Sequence, residues 1–328
     1  VSRKSKALIT GIAGFAGSYL AELLLERGYD VYGFLAPGEK RDNIKHISGQ
    51  LHLDRFDIVK ADKVSRYIES IKPSYIFHLA AFSSVGRSFE NERLTYDINF
   101  IGTHNIFNAA VSLKNKVKKV VFTSSADIYG KFKPVGKILN ESQPFNPNSP
   151  YGVSKAAAEY MAQYYCRHHN LPVVVSRSFN HTGPRHSETF VVPSFSRQIA
   201  AIETGAVKPV IAVGDLSAKR DLSDVRDIVN GYFLMATAGR PGEVYHLCSG
   251  RSVAIGTVLD KLLKMSEVMI KVTVDKSRLR KSDIPVLKGD NTRAKKQLGW
   301  TNKYKLEHTL RDTLQYWRMK LSTKPNQG

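Results

Sequence analysis

Residues 6–17, KALITGIAGFAG, run from a five-residue apolar segment ending at Thr10 directly into glycines at positions 11, 14 and 17. The next stretch, 18–27 (SYLAELLLER), places its apolar residues at helical spacing, and 30–34 (DVYGF) reads as a second strand. Strand, glycine turn, helix and strand make one βαβ unit. In such a turn, backbone amides and the helix N-terminus can hold a pyrophosphate, and side chains would block its approach. The spacing is GxxGxxG rather than GxGxxG, and glycines in a strand–helix turn can also serve packing alone. It is the βαβ context that makes nucleotide binding the expectation, with Gly11, Gly14, Phe15, Ala16 and Gly17 as candidate contacts.

The same rhythm continues along the chain. Residues 51–56 read as strand, 63–71 as helix, 75–80 as strand, 94–113 as a long helix and 119–123 as strand. Ser149-Pro150 is a helix start, serine at the N-cap and proline in the first turn, and 173–176 (VVVS) is a further buried strand. Alternation this dense predicts an α/β fold, a Rossmann-type doubly wound parallel sheet covered on both faces. After Asn180 the rhythm loosens, with prolines at 184, 193 and 209, a helix over 192–204 and a strand over 210–213. Helix 225–237 and strand 244–247 read as a return to the main sheet. The expected organisation is a dinucleotide-binding domain over 1–178, with 222–248 returning to it, and a smaller α/β C-terminal substrate domain over 179–221 and 249–328.

A chain of 328 residues fits about two domains. Its 42% hydrophobic and 24% charged residues are those of an ordinary globular protein, which excludes disorder and a disulfide-stapled miniprotein. Cys166 and Cys248 show no CxxC or zinc-ligand spacing, so no metal is expected and a reducing cytoplasm is the natural compartment. No run reaches the roughly 18 apolar residues of a membrane helix, and none resembles a signal peptide. The net charge of +20 raises nucleic acid as a partner, and residues 261–328 hold 17 Lys and Arg against 6 Asp and Glu. Those charges alternate with apolar residues, as on a solvated helix face, so no nucleic acid is expected, and the field would steer an anionic small molecule.

Tyr151-Gly-Val-Ser-Lys155 puts a phenol and an ammonium four residues apart on one helix face. A nearby cation favours phenolate, which would draw the tyrosine pKa from about 10 toward neutrality. The motif follows a strand that runs out through Thr123-Ser124-Ser125, whose hydroxyls would lie at the carboxyl edge of the sheet, where ligands bind. Hydroxyl, phenol and lysine converging there form an alcohol/ketone hydride-transfer site.

These residues resemble the extended branch of the short-chain dehydrogenase/reductase superfamily, the nucleotide-sugar epimerases, dehydratases and reductases. The likeness spans the whole chain and rests on Gly11, Gly14, Gly17, Asp57-Ile58, His78-Leu-Ala-Ala81, Asn99-Phe-Ile-Gly102-Thr103, Ser125, Tyr151 and Lys155. It implies that Asp57 and Ile58 contact adenine, that Leu79, Ala80 and Ala81 line the cofactor, and that Ser125, Tyr151 and Lys155 form the catalytic set. The C-terminal substrate domain would then bind a nucleotide sugar. The segments Arg177-Ser-Phe-Asn180-His-Thr-Gly-Pro184, Lys219-Arg220-Asp221, Asp224-Val-Arg226-Asp227 and Leu279-Arg280 are most similar to those of GDP-4-keto-6-deoxy-D-mannose reductases. That likeness implies a GDP-linked 6-deoxyhexose substrate whose C4 keto group is reduced to give GDP-D-rhamnose. Ser83 and Asn180 would face the sugar or phosphates, and Arg220 and Arg280 would grip the diphosphate. A surface ion pair of Arg220 with Asp221 or Asp224 is the alternative.

The loop after Ser125 is where reductase and dehydratase should part. Ala126 cannot act as an acid, but Asp127 stands where GDP-mannose dehydratases carry a glutamate, one methylene longer. GDP-mannose 4,6-dehydratase is therefore the alternative activity, followed by a nucleotide-sugar 4-epimerase. No acid ends the second predicted strand, and Lys40 and Arg41 follow in the loop, which favours NADP(H) over NAD(H). Helices 94–113 and 151–169 match those that family members pair into a four-helix interface, which implies a homodimer.

Overall fold

The computed structural model describes residues 4–114, 116–278 and 284–322. Its strands are β1 (Lys6–Thr10), β2 (Asp30–Leu35), β3 (His52–Arg55), β4 (Tyr75–His78), β5 (Lys119–Ser125), β6 (Val173–Ser178), β7 (Asn180–Thr182), β8 (Val210–Val213), β9 (Lys219–Asp224), β10 (Val244–Leu247), β11 (Ser252–Ala254), β12 (Lys271–Val274) and β13 (Val286–Leu287). Seven of them form one parallel sheet in the order β10-β6-β5-β4-β1-β2-β3. This is the doubly wound Rossmann sheet expected from the alternation. Its strand order reverses between β1 and β4, where a crevice opens at the carboxyl edge.

Both faces of the sheet are covered, which explains its near-continuous apolar strands. All six residues of β6 are buried. On one face Leu20 and Leu24 of helix Phe15–Glu26 pack with Ile228 and Met235 of helix Val225–Ala238. On the other, helices Ala61–Ile71, Gly102–Ser112 and Pro150–His169 bury Val64, Ile68, Ile106, Phe107 and Ala158. Helix Pro150–His169 starts as the sequence predicts: the Ser149 hydroxyl accepts the Gly152 amide at 3.0 Å, and Pro150 fills the first turn. Asn170, at φ 51°, ends it in the left-handed region.

The long helix expected over 94–113 is interrupted. Helix Glu92–Tyr96 runs into a π-helical turn, Asp97–Ile101, before Gly102–Ser112 resumes the α pitch. Asn99, in that wide turn, is fully buried. Its amide accepts from the Phe82 amide at 2.7 Å and donates to the Phe82 carbonyl at 3.2 Å and the Ser154 hydroxyl at 2.9 Å. The extra residue in the turn thus lets one side chain hold both the loop after β4 and the helix that carries Tyr151.

A second group of elements lies beyond β6. β9 is flanked by β11 and β13 and also pairs with β7, while β8 pairs with β12. Helices Val191–Glu203, Ile255–Leu263 and Leu306–Ser322 enclose a separate core that includes Phe195, Ile199, Leu259, Leu310 and Leu314. The strand expected over 210–213 is β8, and that over 244–247 is β10, beside β6. β9 was not legible because KRDLSD carries four charges in six residues. Its order comes from Asp221, fully buried, which accepts from the Ser249 amide and hydroxyl at 2.6 Å each, the Gly250 amide at 3.0 Å and the Gly289 amide at 3.3 Å. No helix among the described residues is long and apolar enough to cross a membrane. Asp221→Ala would leave three amides without their acceptor, that of Gly289 buried and those of Ser249 and Gly250 part-buried, and we expect a loss of about 2–4 kcal/mol in urea unfolding; an unchanged midpoint would remove Asp221 from this role.

Candidate active site

The glycine turn after β1 is built by contacts that admit no side chain. Gly11 has φ +69°, and a Cβ there would come within 3.0 Å of the Ala80 backbone. A Cβ on Gly17 would stand 2.1 Å from the Gly11 carbonyl oxygen, far inside van der Waals contact. Gly14 caps helix Phe15–Glu26 without a side-chain acceptor, so the helix's first amides are left to a ligand. Phe15 and Ala16 can offer a pyrophosphate only their backbone. The Phe15 ring is engaged elsewhere, stacked at 4.1 Å on His186 and 5.9 Å from His181.

A buried polar chain fixes the crevice behind this turn. The Thr10 hydroxyl accepts the amides of Leu79 at 3.1 Å and Ala80 at 3.0 Å, and it donates to His78 Nδ1 at 2.7 Å. His78 Nε2 donates to the Thr103 hydroxyl at 2.9 Å, whose own proton goes to the Asn99 carbonyl at 2.6 Å. Burial first, and then the Lys155 charge, push the imidazole pKa down to about 3, so the ring is neutral in this relay. The sequence marked His78 only as part of a motif. Its task is to hold Leu79 and Ala80 beside the glycine turn.

Of the two residues that the resemblance assigns to adenine, Asp57 accepts the Val59 amide on its carboxylate at 3.0 Å. Ile58 is buried and packs where Gly102 has no side chain. The loop after β2 is held by Arg55, which donates to the carbonyls of Ala36 at 2.7 Å and Glu39 at 3.1 Å. The Glu39 carboxylate accepts the Ala36 amide at 2.9 Å. Lys40 and Arg41 are exposed.

The reactive groups meet between β5 and helix Pro150–His169. Ser125, at the end of β5, donates to Asp127 at 3.0 Å and accepts the Asp127 amide at 3.1 Å. Lys155 donates to the Thr123 carbonyl at 2.8 Å and lies 5.3 Å over the Phe122 ring. Burial pushes the Lys155 pKa down to about 7. The Tyr151 phenol moves upward, driven first by burial and then by the Asp127 charge, with a hydrogen bond to Ser125 partly offsetting both. The lysine-depressed phenol expected from YxxxK is therefore reversed. An ammonium half-neutral near pH 7 exerts little pull, while desolvation and a carboxylate oppose phenolate. The turn Ala126–Tyr129 that carries Asp127 is anchored from below by a pair the sequence left without a role. Arg177 binds Glu159 at 2.6 Å, both buried, and donates to the Tyr129 hydroxyl at 2.6 Å and the Glu141 carbonyl at 2.7 Å.

The residues assigned to substrate by resemblance are more scattered. Ser83 is exposed in the loop after β4, and Asn180 is exposed at the start of β7. Arg220, on β9, donates to the carbonyls of Lys219 at 3.0 Å and Ile284 at 2.6 Å. The acids considered for it are committed elsewhere: Asp221 to the loop amides already described, and Asp224 to Arg226 at 2.7 Å and Thr309 at 2.7 Å. Arg280 lies outside the described residues.

A Rossmann sheet with a GxxGxxG turn and a Ser–Tyr–Lys site defines the epimerase/dehydratase branch of the short-chain dehydrogenases/reductases. The family model described as GDP-mannose 4,6 dehydratase matches residues 8–313, and the chain belongs to that family. It is 27% identical over 316 residues to the GDP-6-deoxy-D-mannose reductase of Pseudomonas aeruginosa, covering 96% of this chain and 98% of that one. To the GDP-mannose 4,6 dehydratase of Homo sapiens it is 30% identical over 354 residues, covering 98% and 94%. Among solved structures, RMD from Pseudomonas aeruginosa complexed with NADPH superposes with a TM-score of 0.83 at 27% identity, covering 97% of this chain and 100% of that one. The UDP-glucose 4-epimerase of Thermus thermophilus in complex with NAD gives 0.86 at 27% identity, covering 95% and 99%.

Lys155 yields a stability prediction. Its folded pKa of about 7 lies below the ordinary lysine value of 10.5, so the unfolded chain binds the extra proton between those values. The cost of burying Lys155 is therefore full below pH 7 and fades as pH rises through that window. Lys155→Met should raise the melting temperature of the cofactor-free protein most at pH 6 and progressively less toward pH 9. A gain that does not depend on pH would show that Lys155 is not desolvated.

Proposed function

We propose that this chain reduces the C4 carbonyl of GDP-4-keto-6-deoxy-D-mannose to give GDP-D-rhamnose. The observation that carries the reading is the meeting of Ser125, Tyr151 and Lys155 at the end of β5, where burial and the Asp127 charge raise the Tyr151 pKa. Reduction needs a proton donor for the oxygen that becomes an alkoxide, and a phenol held in its neutral form is that donor. The oxidation that opens a dehydratase cycle needs phenolate at the same place. A nicotinamide dinucleotide held by the glycine turn would supply the hydride. Tyr151 gives its proton to the C4 oxygen as charge develops there, and Ser125 turns its own hydroxyl proton from Asp127 to the same oxygen. Lys155 would hold the nicotinamide ribose. The elements beyond β6 would receive the GDP-sugar, with Ser83, Asn180 and Arg220 as candidate contacts.

Support for this substrate class comes from the reductase and dehydratase relatives, both named for GDP-linked hexoses. NADP(H) over NAD(H) is supported by exposed Lys40 and Arg41 and by a Glu39 carboxylate already committed to the Ala36 amide. The two free thiols accord with a reducing cytoplasm. A homodimer is supported by apolar side chains left outside on the expected pairing helices: Leu94, Ile101, Val153, Tyr160 and Tyr164 are all exposed. Light scattering should give twice the monomer mass, and a monomer would remove that element.

One observation favours the second reading, GDP-mannose 4,6-dehydratase. Asp127 is within hydrogen-bond reach of Ser125 and close enough to Tyr151 to shift it, as a C5 base in this loop would be. The test follows NADPH absorbance with freshly generated GDP-4-keto-6-deoxy-D-mannose, with GDP-mannose in parallel. Oxidation only with the keto sugar is the expected result. Keto-sugar product from GDP-mannose without net NADPH use would replace it with the dehydratase. Tyr151→Phe should lower turnover by about 10²–10⁴-fold with NADPH affinity unchanged, and Asp127→Asn by less than about tenfold. Full turnover in the Tyr151 variant would overturn the mechanism.

A further inference from the structure

The turn Ala126–Tyr129 carries Asp127 beside Ser125, and its other side chains, Ala126, Ile128 and Tyr129, are buried. Bare backbone bounds the turn at both ends. A Cβ on Gly152, the residue after Tyr151, would stand 2.9 Å from the Asp127 carbonyl oxygen, and one on Gly130 would overlap the Asn146 carbonyl oxygen. These close approaches limit how far the turn can move inward, but they do not pull it into place. The attraction converges on a single atom.

The hydroxyl of Tyr129, a fully buried residue, has partners on three other segments. Arg177 of β6 donates to it at 2.6 Å, Nε2 of His246 on β10 meets it at 2.5 Å, and it donates to the Asn140 carbonyl at 3.3 Å. Arg177 and His246 are direct neighbours across the β6–β10 pair, so the two strands present both groups together. The Arg177 guanidinium also lies 5.3 Å over the Tyr129 ring, and the His246 ring meets that ring edge-on at 5.5 Å. Each partner is fixed in turn. Arg177 binds the Glu159 carboxylate through Nε and Nη2, and the His246 amide donates to the Glu141 carboxylate at 3.1 Å. Burial first, and then the Arg177 charge, push the His246 pKa down to about 3, so the ring is neutral here. Burying an ion pair and an imidazole costs desolvation that apolar side chains of the same size would avoid, so stability alone does not account for the cluster. Its members meet at Tyr129, two residues along from Asp127.

We propose that Tyr129 is a positioning residue: its hydroxyl, clamped by Arg177 and His246, sets where the Asp127 carboxylate stands relative to Ser125 and Tyr151. Being buried, Tyr129 acts through Asp127 and not on the substrate. The expected effect on turnover rests on the functional reading above, whereas the placement of Asp127 does not.

Removing Arg177 or Glu159 would strand a buried charge and threaten the fold, so the test removes the hydroxyl alone. Tyr129→Phe, Asp127→Asn and the double variant are compared with the wild type for turnover of GDP-4-keto-6-deoxy-D-mannose with NADPH. His246→Leu, which takes a partner from the same hydroxyl, is run beside Tyr129→Phe and stands in for it should that variant not fold. If Tyr129 acts through Asp127, its loss lowers turnover by about the factor seen for Asp127→Asn, below about tenfold, with KM for NADPH unchanged. It then adds nothing in the Asp127→Asn background. Losses that multiply in the double variant, as for independent sites or a general loosening of the fold, overturn the proposal. Wild-type turnover in Tyr129→Phe overturns it as well. If the wild-type protein does not reduce the keto sugar, the functional reading falls, and the same four proteins are compared without substrate by the carbon-13 resonance of the Tyr151 Cζ. A shift on Tyr129→Phe that disappears in the Asp127→Asn background upholds the placement; an equal shift in both backgrounds, or none in either, overturns it.

Discussion

The first helix touches the end of β1 through bare backbone, and the rest of the molecule depends on that contact. The Gly11 carbonyl oxygen lies 2.1 Å from where a Cβ on Gly17 would be, and Gly11 itself lies against Ala80 in the segment just after β4. Strand, helix and crossover strand can therefore converge within one turn of chain at the switch point of the sheet. The polar chain through Thr10, His78 and Thr103 then locks β4 to β1 from inside. Because that imidazole is buried and neutral, it adds direction without adding charge beside Lys155.

Desolvation sets the chemistry of the reactive groups more than their pairing does. Helix Pro150–His169 drives Tyr151 and Lys155 into the same buried space, and burial moves each toward its neutral form. For the phenol that means a retained proton, and for the amine an easily lost one. Asp127, reached through Ser125, adds a negative charge that pushes the phenol further. Substitution of one short acid in the loop can thus alter the proton affinity of a tyrosine 24 positions along the chain.

Much of this was legible in the sequence, for identifiable reasons. The parallel sheet announces itself because strands buried on both faces must be apolar throughout, and the glycine turn because no other residue fits its contacts. Ser149-Pro150 predicts the helix start correctly because capping is local chemistry. The π-helical turn at Asp97–Ile101 was hidden because what it serves, Asn99 bound to Phe82 and Ser154, depends on residues far apart in the chain. β9 was hidden because its charged residues are satisfied by loops, Asp221 above all, rather than by pattern. The direction of the Tyr151 shift was misread because spacing along a helix reports proximity but not burial.

The Arg177–Glu159 pair has a consequence for how this fold diversifies. One helix carries Tyr151 and Lys155 at its start and Glu159 a turn later, and Glu159 grips the arginine that steadies Tyr129 beneath the Asp127 turn. The frame of the Ala126–Tyr129 turn is thus bolted to the same rod that bears Tyr151. Side chains on the upper side of that loop can be exchanged, lengthened or shortened without loosening it. A change at position 127 would therefore be felt by Tyr151 while the frame that holds both stays where it was.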